Sequence, residues 1–283
     1  MTVVRVSPTR ALVEDWALVL VSAGMSSHLE EVDDRWALVV APHDADRARE
    51  ALDAYDRENR VEPESAPIEY GRTWLGAVVA LLLIAFFQLT GGRALHGPWF
   101  DHGAADAELI LSGQWWRVVT ALTLHADFAH VFGNAVACVV FVTAVGQWLG
   151  PGVGGWLVLL SGAAGNLITA LVHRSGHVSI GASTATFGAM GIIAALQYTA
   201  RRRGRSTRTR AWLVVAASLA LLGLLGTSER ADVFAHLFGL LSGAVLGLIA
   251  ARATRRPMGQ AAQWVLAALA VGAVVGCWRL AHA

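Results

Sequence analysis

Four polar side chains in apolar stretches of this 283-residue chain are of types that together perform acyl transfer: His130, Asn134, Ser183 and His236. A serine hydroxyl is a poor nucleophile until a base within hydrogen-bond reach takes its proton. Imidazole, titrating near neutral pH, suits that task. The tetrahedral oxyanion formed on attack needs donors already in place. The Asn134 carboxamide and the backbone N–H of Ser183, near a helix N-terminus where N–H groups are free, are candidates, and His130 is a further one. Each such donor contributes on the order of 3 kcal/mol in other serine hydrolases. Taken singly, a serine or asparagine in an apolar helix is more often a packing or helix-bridging group. What sets these four apart is where the surrounding elements put them.

Those elements are apolar and long. Hydrophobic residues make up 55% of the chain, charged residues 15%, and the mean hydropathy is +0.51. Soluble domains carry about 25% charge, so the composition describes a polytopic membrane protein with a modest soluble part. Stretches near the roughly 20 residues needed to span a bilayer fall near 73–91, 127–149, 152–172, 180–200, 211–227, 232–250 and 262–280. Between the first two lies a Trp-, His- and Gly-rich loop, 92–126, suited to short helices at the membrane interface. Every basic residue is an arginine. Arg201, Arg202, Arg203, Arg205, Arg208 and Arg210 follow the fourth span, and Arg252, Arg255 and Arg256 follow the sixth. The positive-inside rule puts both runs and the N-terminus in the cytoplasm, and the 92–126 loop and C-terminus outside.

With that orientation the second span enters from outside near Asp127, the fourth just before Ser183 and the sixth at Asp232. At 1.5 Å per residue, His130, Asn134, Ser183 and His236 then lie within roughly 10 Å of the outer ends of their helices. Ser183 is expected about one turn inside its span. Gly239, Gly243 and Gly247 form a smooth face behind His236, and Gly181, Gly188 and Gly191 thin the serine's span. Small-residue faces let helix backbones approach closely in lipid. Asp232, one turn before His236, is expected to cap that helix rather than complete a triad.

These residues resemble the rhomboid family of intramembrane serine proteases. Gly181-Ala182-Ser183 followed by Phe187-Gly188 is similar to its nucleophile motif, and Ala235-His236-Leu237-Phe238-Gly239 with Gly243 to its base motif. His130-x-x-x-Asn134 resembles its oxyanion motif, and Trp116-Arg117 the Trp-Arg pair of its first outer loop. The resemblance implies Ser183 as nucleophile, His236 as base, Asn134 and His130 as oxyanion contacts, and Gly181 and Gly239 as supporting glycines. It also implies Phe187 packed against the His236 ring and a structural role for His125. It covers 73–250, a six-helix bundle to which the last span adds a seventh. Two departures stand out. Thr184 follows the serine where the family commonly has glycine, and the segment 146–150 lacks the glutamate usual near the end of the second span, which bears on bundle stability.

Residues 1–60 read as a small cytoplasmic α/β domain in βαββα order, loosely ferredoxin-like: a strand at Val3–Val6, a helix from a Thr9 cap to Met25, a hairpin over Ser27–Ala41 and an amphipathic helix over Asp44–Glu58. A linker, 61–72, separates it from the 73–250 core, and 251–283 holds a connecting loop and the last span. Two roles stay open for this domain, a folding appendage and a regulatory or homo-oligomerising module. No secretory signal peptide opens the chain. Cys138 and Cys277 match neither a disulfide framework nor a zinc signature. No metal, cofactor or nucleic acid is called for. The expected partners are transmembrane protein substrates and membrane lipids, in a bacterial plasma membrane. The rival reading, a transporter or a catalytically silent helix-binding bundle, lacks the internal repeat and mid-membrane polar layer that transporters often have.

Overall fold

A computed structural model describes residues 1–32, 34–58, 70–93, 97–202, 232–253 and 258–283. The expected span at 211–227, the arginines from Arg203 to Arg210, Arg255, Arg256 and most of the linker lie outside the described residues. The chain divides into two compact units, Met1–Ala66 and Pro67–Ala283.

The first unit runs β1 (Thr2–Ser7), α1 (Arg10–Ser22), β2 (Ser27–Val32), β3 (Arg35–Val40) and α2 (Ala45–Glu58). β3 lies between β1 and β2 and is antiparallel to both, the arrangement of a split βαβ. Val13, Leu20, Leu38, Val40, Ala48 and Leu52 form its core. Helix α1 ends three residues before the expected Met25, because Gly24 takes a left-handed φ of 74° and turns the chain. The Thr9 side chain makes no capping bond; instead the Thr9 N–H donates to Ser7 Oγ at 3.0 Å.

The second unit is helical. Helix α3 (Leu75–Thr90) is apolar but short, at 16 residues. The following segment holds α4 (Pro98–Gly103), β4 (Ala105–Asp106), α5 (Ala107–Leu111) and α6 (Arg117–Thr120). Then come α7 (Phe128–Leu149), α8 (Pro151–His173), β5 (Val178–Ser179), α9 (Ser183–Arg202), α10 (Val233–Ala253) and α11 (Gln260–Ala281). Helices α7, α8, α10 and α11 are each long and apolar enough to cross a membrane. Residues Cys138–Val142 of α7 form a π-helical turn. Gly76 of α3 sits against it, where a Cβ would strike the Cys138 carbonyl and Thr143 Oγ1.

Glycine sets the spacing of the central pair. A Cβ on Gly239 of α10 would run into the Thr184 carbonyl, one on Gly243 into the Gly188 carbonyl, and one on Gly247 to within 2.8 Å of the Ile192 carbonyl. A Cβ on Gly191 of α9 would meet the Leu240 carbonyl. Helices α9 and α10 therefore touch backbone to backbone along about two turns, a separation that side chains would prevent.

Helix α11 is anchored at both ends. Gln263, Ala270 and Cys277, seven residues apart, are buried against the rest of the unit, as is Trp278. The Gln263 carboxamide accepts from the Gly152 and Val153 N–H groups at 2.8 and 3.0 Å and donates to the Leu149 carbonyl at 3.0 Å. At the opposite end Trp278 Nε1 donates to Thr123 Oγ1 at 3.1 Å, and its ring packs edge-on with Trp99.

Candidate active site

Ser183 is the first residue of α9, not one turn inside it. The chain arrives through Gly181, whose φ of 119° is a left-handed conformation, and this turn postpones the helix to the serine itself. The approach is fixed by backbone bonds. The Gly181 N–H donates to the Ala121 carbonyl at 2.9 Å, and the Ala182 N–H points to His125 Nε2 at 3.4 Å. Strand β5 pairs with β4, matching Ser179 to Ala105. Ser183 thus carries its hydroxyl at a helix start, where the first-turn N–H groups have no intrahelical acceptor.

His236 lies in the first turn of α10, with Asp232 as cap. Asp232 Oδ1 accepts from the Ala235 N–H at 2.9 Å, and the Asp232 carbonyl accepts from the His236 N–H at 3.0 Å. The expected cap is therefore present. With the glycine face holding the helices together, His236 Nε2 comes to 2.8 Å from Ser183 Oγ. Both residues are buried. Phe187, one turn after the serine, stacks on the imidazole with centroids 4.5 Å apart and planes 20° from parallel. His236 Nδ1 has no hydrogen-bond partner among the described residues. Asp232 is turned instead to His177, whose Nε2 lies 2.7 Å from Oδ2.

His130 and Asn134 come from the start of α7, capped by Asp127 through its bond from the His130 N–H at 2.9 Å. Their side chains converge on Gly181. A Cβ there would lie 2.6 Å from His130 Nε2 and 3.6 Å from Asn134 Nδ2. The absent side chain leaves a small space beside Ser183, bordered by two nitrogens able to donate. Asn134 is buried, its Nδ2 also reaching the His130 carbonyl at 3.2 Å.

The remaining expected residues shape the surroundings. His125 is fully buried, and burial, with the neighbouring His130, pushes its pKa down to about 3. Its ring therefore stays neutral and able to accept from the Ala182 N–H. Arg117 ties the interfacial segment together, donating to the Ala104 and Asp101 carbonyls and to Gln114 Oε1 at 2.7–2.9 Å. Trp116 is the N-cap residue of α6, edge-on to Trp115. Asn166 and Ser161 of α8 donate to the Val118 and Val158 carbonyls, respectively. The His177–Asp232 pair has no sequence signal, since 55 residues separate its partners.

A family profile for the rhomboid domain matches residues 112–253, half of the chain, and that interval contains all four polar residues of the site. The chain belongs to the rhomboid family. It is 31% identical over 224 residues to the rhomboid protease GluP of Bacillus subtilis, covering 76% of this chain and 43% of GluP. It is 26% identical over 184 residues to YdcA of the same bacterium, covering 65% of this chain and 90% of YdcA. With RHOMBOID-like protein 1 of Arabidopsis thaliana it shares 30% identity over 151 residues, 52% of this chain and 38% of that protein. The chain thus spans less than half of GluP and most of YdcA. Membership of the rhomboid family and four membrane-length apolar helices make it an integral membrane protein with bacterial relatives.

Proposed function

We propose that this protein is an intramembrane serine endopeptidase that cleaves peptide bonds in or near the transmembrane helices of other membrane proteins. The observation that carries this reading is the 2.8 Å separation of Ser183 Oγ and His236 Nε2 in a buried site. Family membership and the rhomboid protease names of relatives such as GluP support it.

In the proposed reaction His236 Nε2 takes the hydroxyl proton as Ser183 Oγ adds to the scissile carbonyl carbon. The carbonyl π pair moves onto oxygen. The oxyanion is received in the space over Gly181, with Asn134 Nδ2, His130 Nε2 and the Ser183 N–H as donors. Collapse breaks the C–N bond, and the departing amine takes the proton from His236. Water then adds to the acyl-enzyme by the same route, with His236 as base, and releases the serine. Phe187 holds the ring plane through both proton transfers. With Nδ1 unpartnered among the described residues, the machinery is a dyad in which no carboxylate hydrogen-bonds the imidazole, and Phe187 and the packing around the ring orient it in its place.

In the membrane arrangement proposed with this reading, a six-span core carries the site near the extracytoplasmic face, α11 adds a seventh span, and the N-terminal domain is cytoplasmic. A substrate helix must unwind locally to present its carbonyl, so helix-weakening Gly, Pro or polar residues are expected near the cut. The test is cleavage of a single-span model substrate by the wild type and by Ser183→Ala and His236→Ala variants, with fluorophosphonate labelling in parallel. Loss of cleavage in both variants, and of labelling in Ser183→Ala, is expected. Undiminished cleavage by Ser183→Ala refutes the reading.

A further inference from the structure

The segment that delivers Ser183 is tied at nearly every residue from His177 onward. The His177 carbonyl accepts from the Ala107 N–H at 3.0 Å, β5 pairs with β4, and Gly181 and Ala182 bond to Ala121 and His125. All of these ties run to the interfacial segment, and none reaches the helix that carries His236. The His177 side chain does reach it, 2.7 Å from Asp232 Oδ2, and the Ser179 side chain hydrogen-bonds the same carboxylate. The pair is three-quarters or more shielded, at 24% and 13% side-chain exposure. His173, at the end of α8, stacks on His177 with centroids 4.1 Å apart and planes 15° from parallel, and Phe234 of α10 packs edge-on against His173. The ring is thus held from two elements.

Asp232 uses its three oxygens for three different tasks. Oδ1 caps the Ala235 N–H, the carbonyl holds the His236 N–H, and Oδ2 meets His177. The aspartate that fixes where α10 begins is also the one that fastens α10 to the loop leading into Ser183. The glycine face sets how far apart α9 and α10 lie, but a smooth face does little to resist sliding or rotation of one helix on the other. A polar tie one turn from the dyad does resist it.

We propose that His177 and Asp232 form a latch that positions His236 against Ser183, acting through the two chain segments rather than by touching substrate. This rests on the serine-protease reading above. The latch makes His177 a positioning residue and gives Asp232 a second one besides its cap. Releasing it leaves the substrate surface intact and widens the spread of Oγ–Nε2 separations, so the turnover rate falls and substrate affinity stays. A displacement on the order of 1 Å at a reacting group costs up to about a hundredfold; partial loosening is expected to cost about tenfold.

The experiment uses the full chain in liposomes with a single-span substrate, and compares wild type, Ser183→Ala, His177→Ala, His177→Gln, Asp232→Ser and the His177→Ala/Asp232→Ser double variant. Serine caps a helix as well as aspartate but is too short to reach His177, so Asp232→Ser removes the latch and keeps the cap. Glutamine at 177 restores a donor without the imidazole. The expected result is a kcat about tenfold lower for His177→Ala and for Asp232→Ser, with KM within twofold of wild type. The double variant should be no worse than Asp232→Ser, which already loses the bonds from both His177 and Ser179, and His177→Gln should recover most of the loss. A wild-type kcat in Asp232→Ser, multiplying losses in the double variant, or a His177→Gln no better than His177→Ala overturns the latch. Ser183→Ala separates the two levels: if it is inactive while the latch variants are fully active, the latch fails and the protease reading stands.

Discussion

Replacing Gln263 with leucine removes a side chain that holds three backbone groups at the junction of α7 and α8. Gln263 is fully buried, and its carboxamide accepts from Gly152 and Val153 while donating to Leu149. It gets there because Gly150 and Gly152 carry no side chains: a Cβ on Gly150 would fall into the carboxamide, and one on Gly152 into the Gln263 carbonyl. Leucine fills similar volume and satisfies none of the three groups. Leaving a buried polar group unpaired costs about 1–3 kcal/mol, whereas hydrogen bonds between membrane helices average nearer 0.6 kcal/mol. Three groups at these lower values give about 2–3 kcal/mol. At roughly 2–4 °C per kcal/mol for a chain of this size, the midpoint of thermal unfolding should drop by about 4–12 °C. Circular dichroism of the purified protein in detergent would measure it. Trp156→Phe, which loses the single bond from Nε1 to the Leu266 carbonyl, should shift it by a third as much or less. Gln263→Glu keeps one oxygen for the two N–H groups but turns the other on the Leu149 carbonyl, so it should be unstable at neutral pH and recover when acid protonates the carboxyl. An unchanged midpoint in Gln263→Leu would refute the reasoning.

Gly243→Ala should force α9 and α10 apart at the Gly188 carbonyl, with strain of about 1–3 kcal/mol, and reduce cleavage at least tenfold; Gly272→Ala, which meets nothing within 4 Å, should be silent in the same assay. Asn134→Ala removes one donor beside Gly181 and should lower kcat about a hundredfold with little change in KM, as steady-state cleavage would register. His125 is neutral in the fold down to about pH 3 and titrates near 6.5 when unfolded. Below about pH 6.5 the unfolded state therefore binds the extra proton, and stability should fall by about 1.4 kcal/mol per unit toward pH 3. Thermal melts between pH 7 and pH 5 should show this slope in the wild type and a shallower one in His125→Gln.

The grouping of the polar residues was legible because polar residues in apolar spans are few and their types are specific. Ser183, His236, His130 and Asn134 are expected at one depth when the arginines are taken to orient the spans, and the fold brings Ser183 to His236 and turns His130 and Asn134 toward Gly181. The glycine face was legible for the same reason, since a four-residue repeat of Gly in an apolar helix has a steric meaning. What could not be read were contacts between groups far apart in sequence with no motif around them. His177 finds Asp232 across 55 residues, and Gln263 finds Leu149 across 114. Ser183 was expected a turn inside its helix because the apolar run begins earlier, at Ile180. The left-handed turn at Gly181 decides the helix start, and hydropathy does not report φ. In the N-terminal unit Gly24 ended α1 early by the same means.

Thr184 stands where the family commonly has glycine, and the fold accommodates it through a residue on a third helix. Thr184 is buried, and its methyl lies where a Cβ on Gly165 of α8 would approach to 2.6 Å. That same Cβ would also come within 2.8 Å of the Gly239 N, and a Cβ on Gly239 would meet both the Thr184 carbonyl and, at 3.1 Å, its methyl. Three helices therefore converge on one point beside Ser183, and two of them arrive without side chains so that the third can bring one. The threonine methyl occupies space that two glycines, one on α8 and one on α10, have given up. The departure from the family pattern is thus a question of which helix supplies the carbon that fills this junction. Once Gly165 supplies none, a glycine at 184 would leave a gap of methyl size immediately behind the serine, where a loss of packing would be felt directly in the position of Oγ.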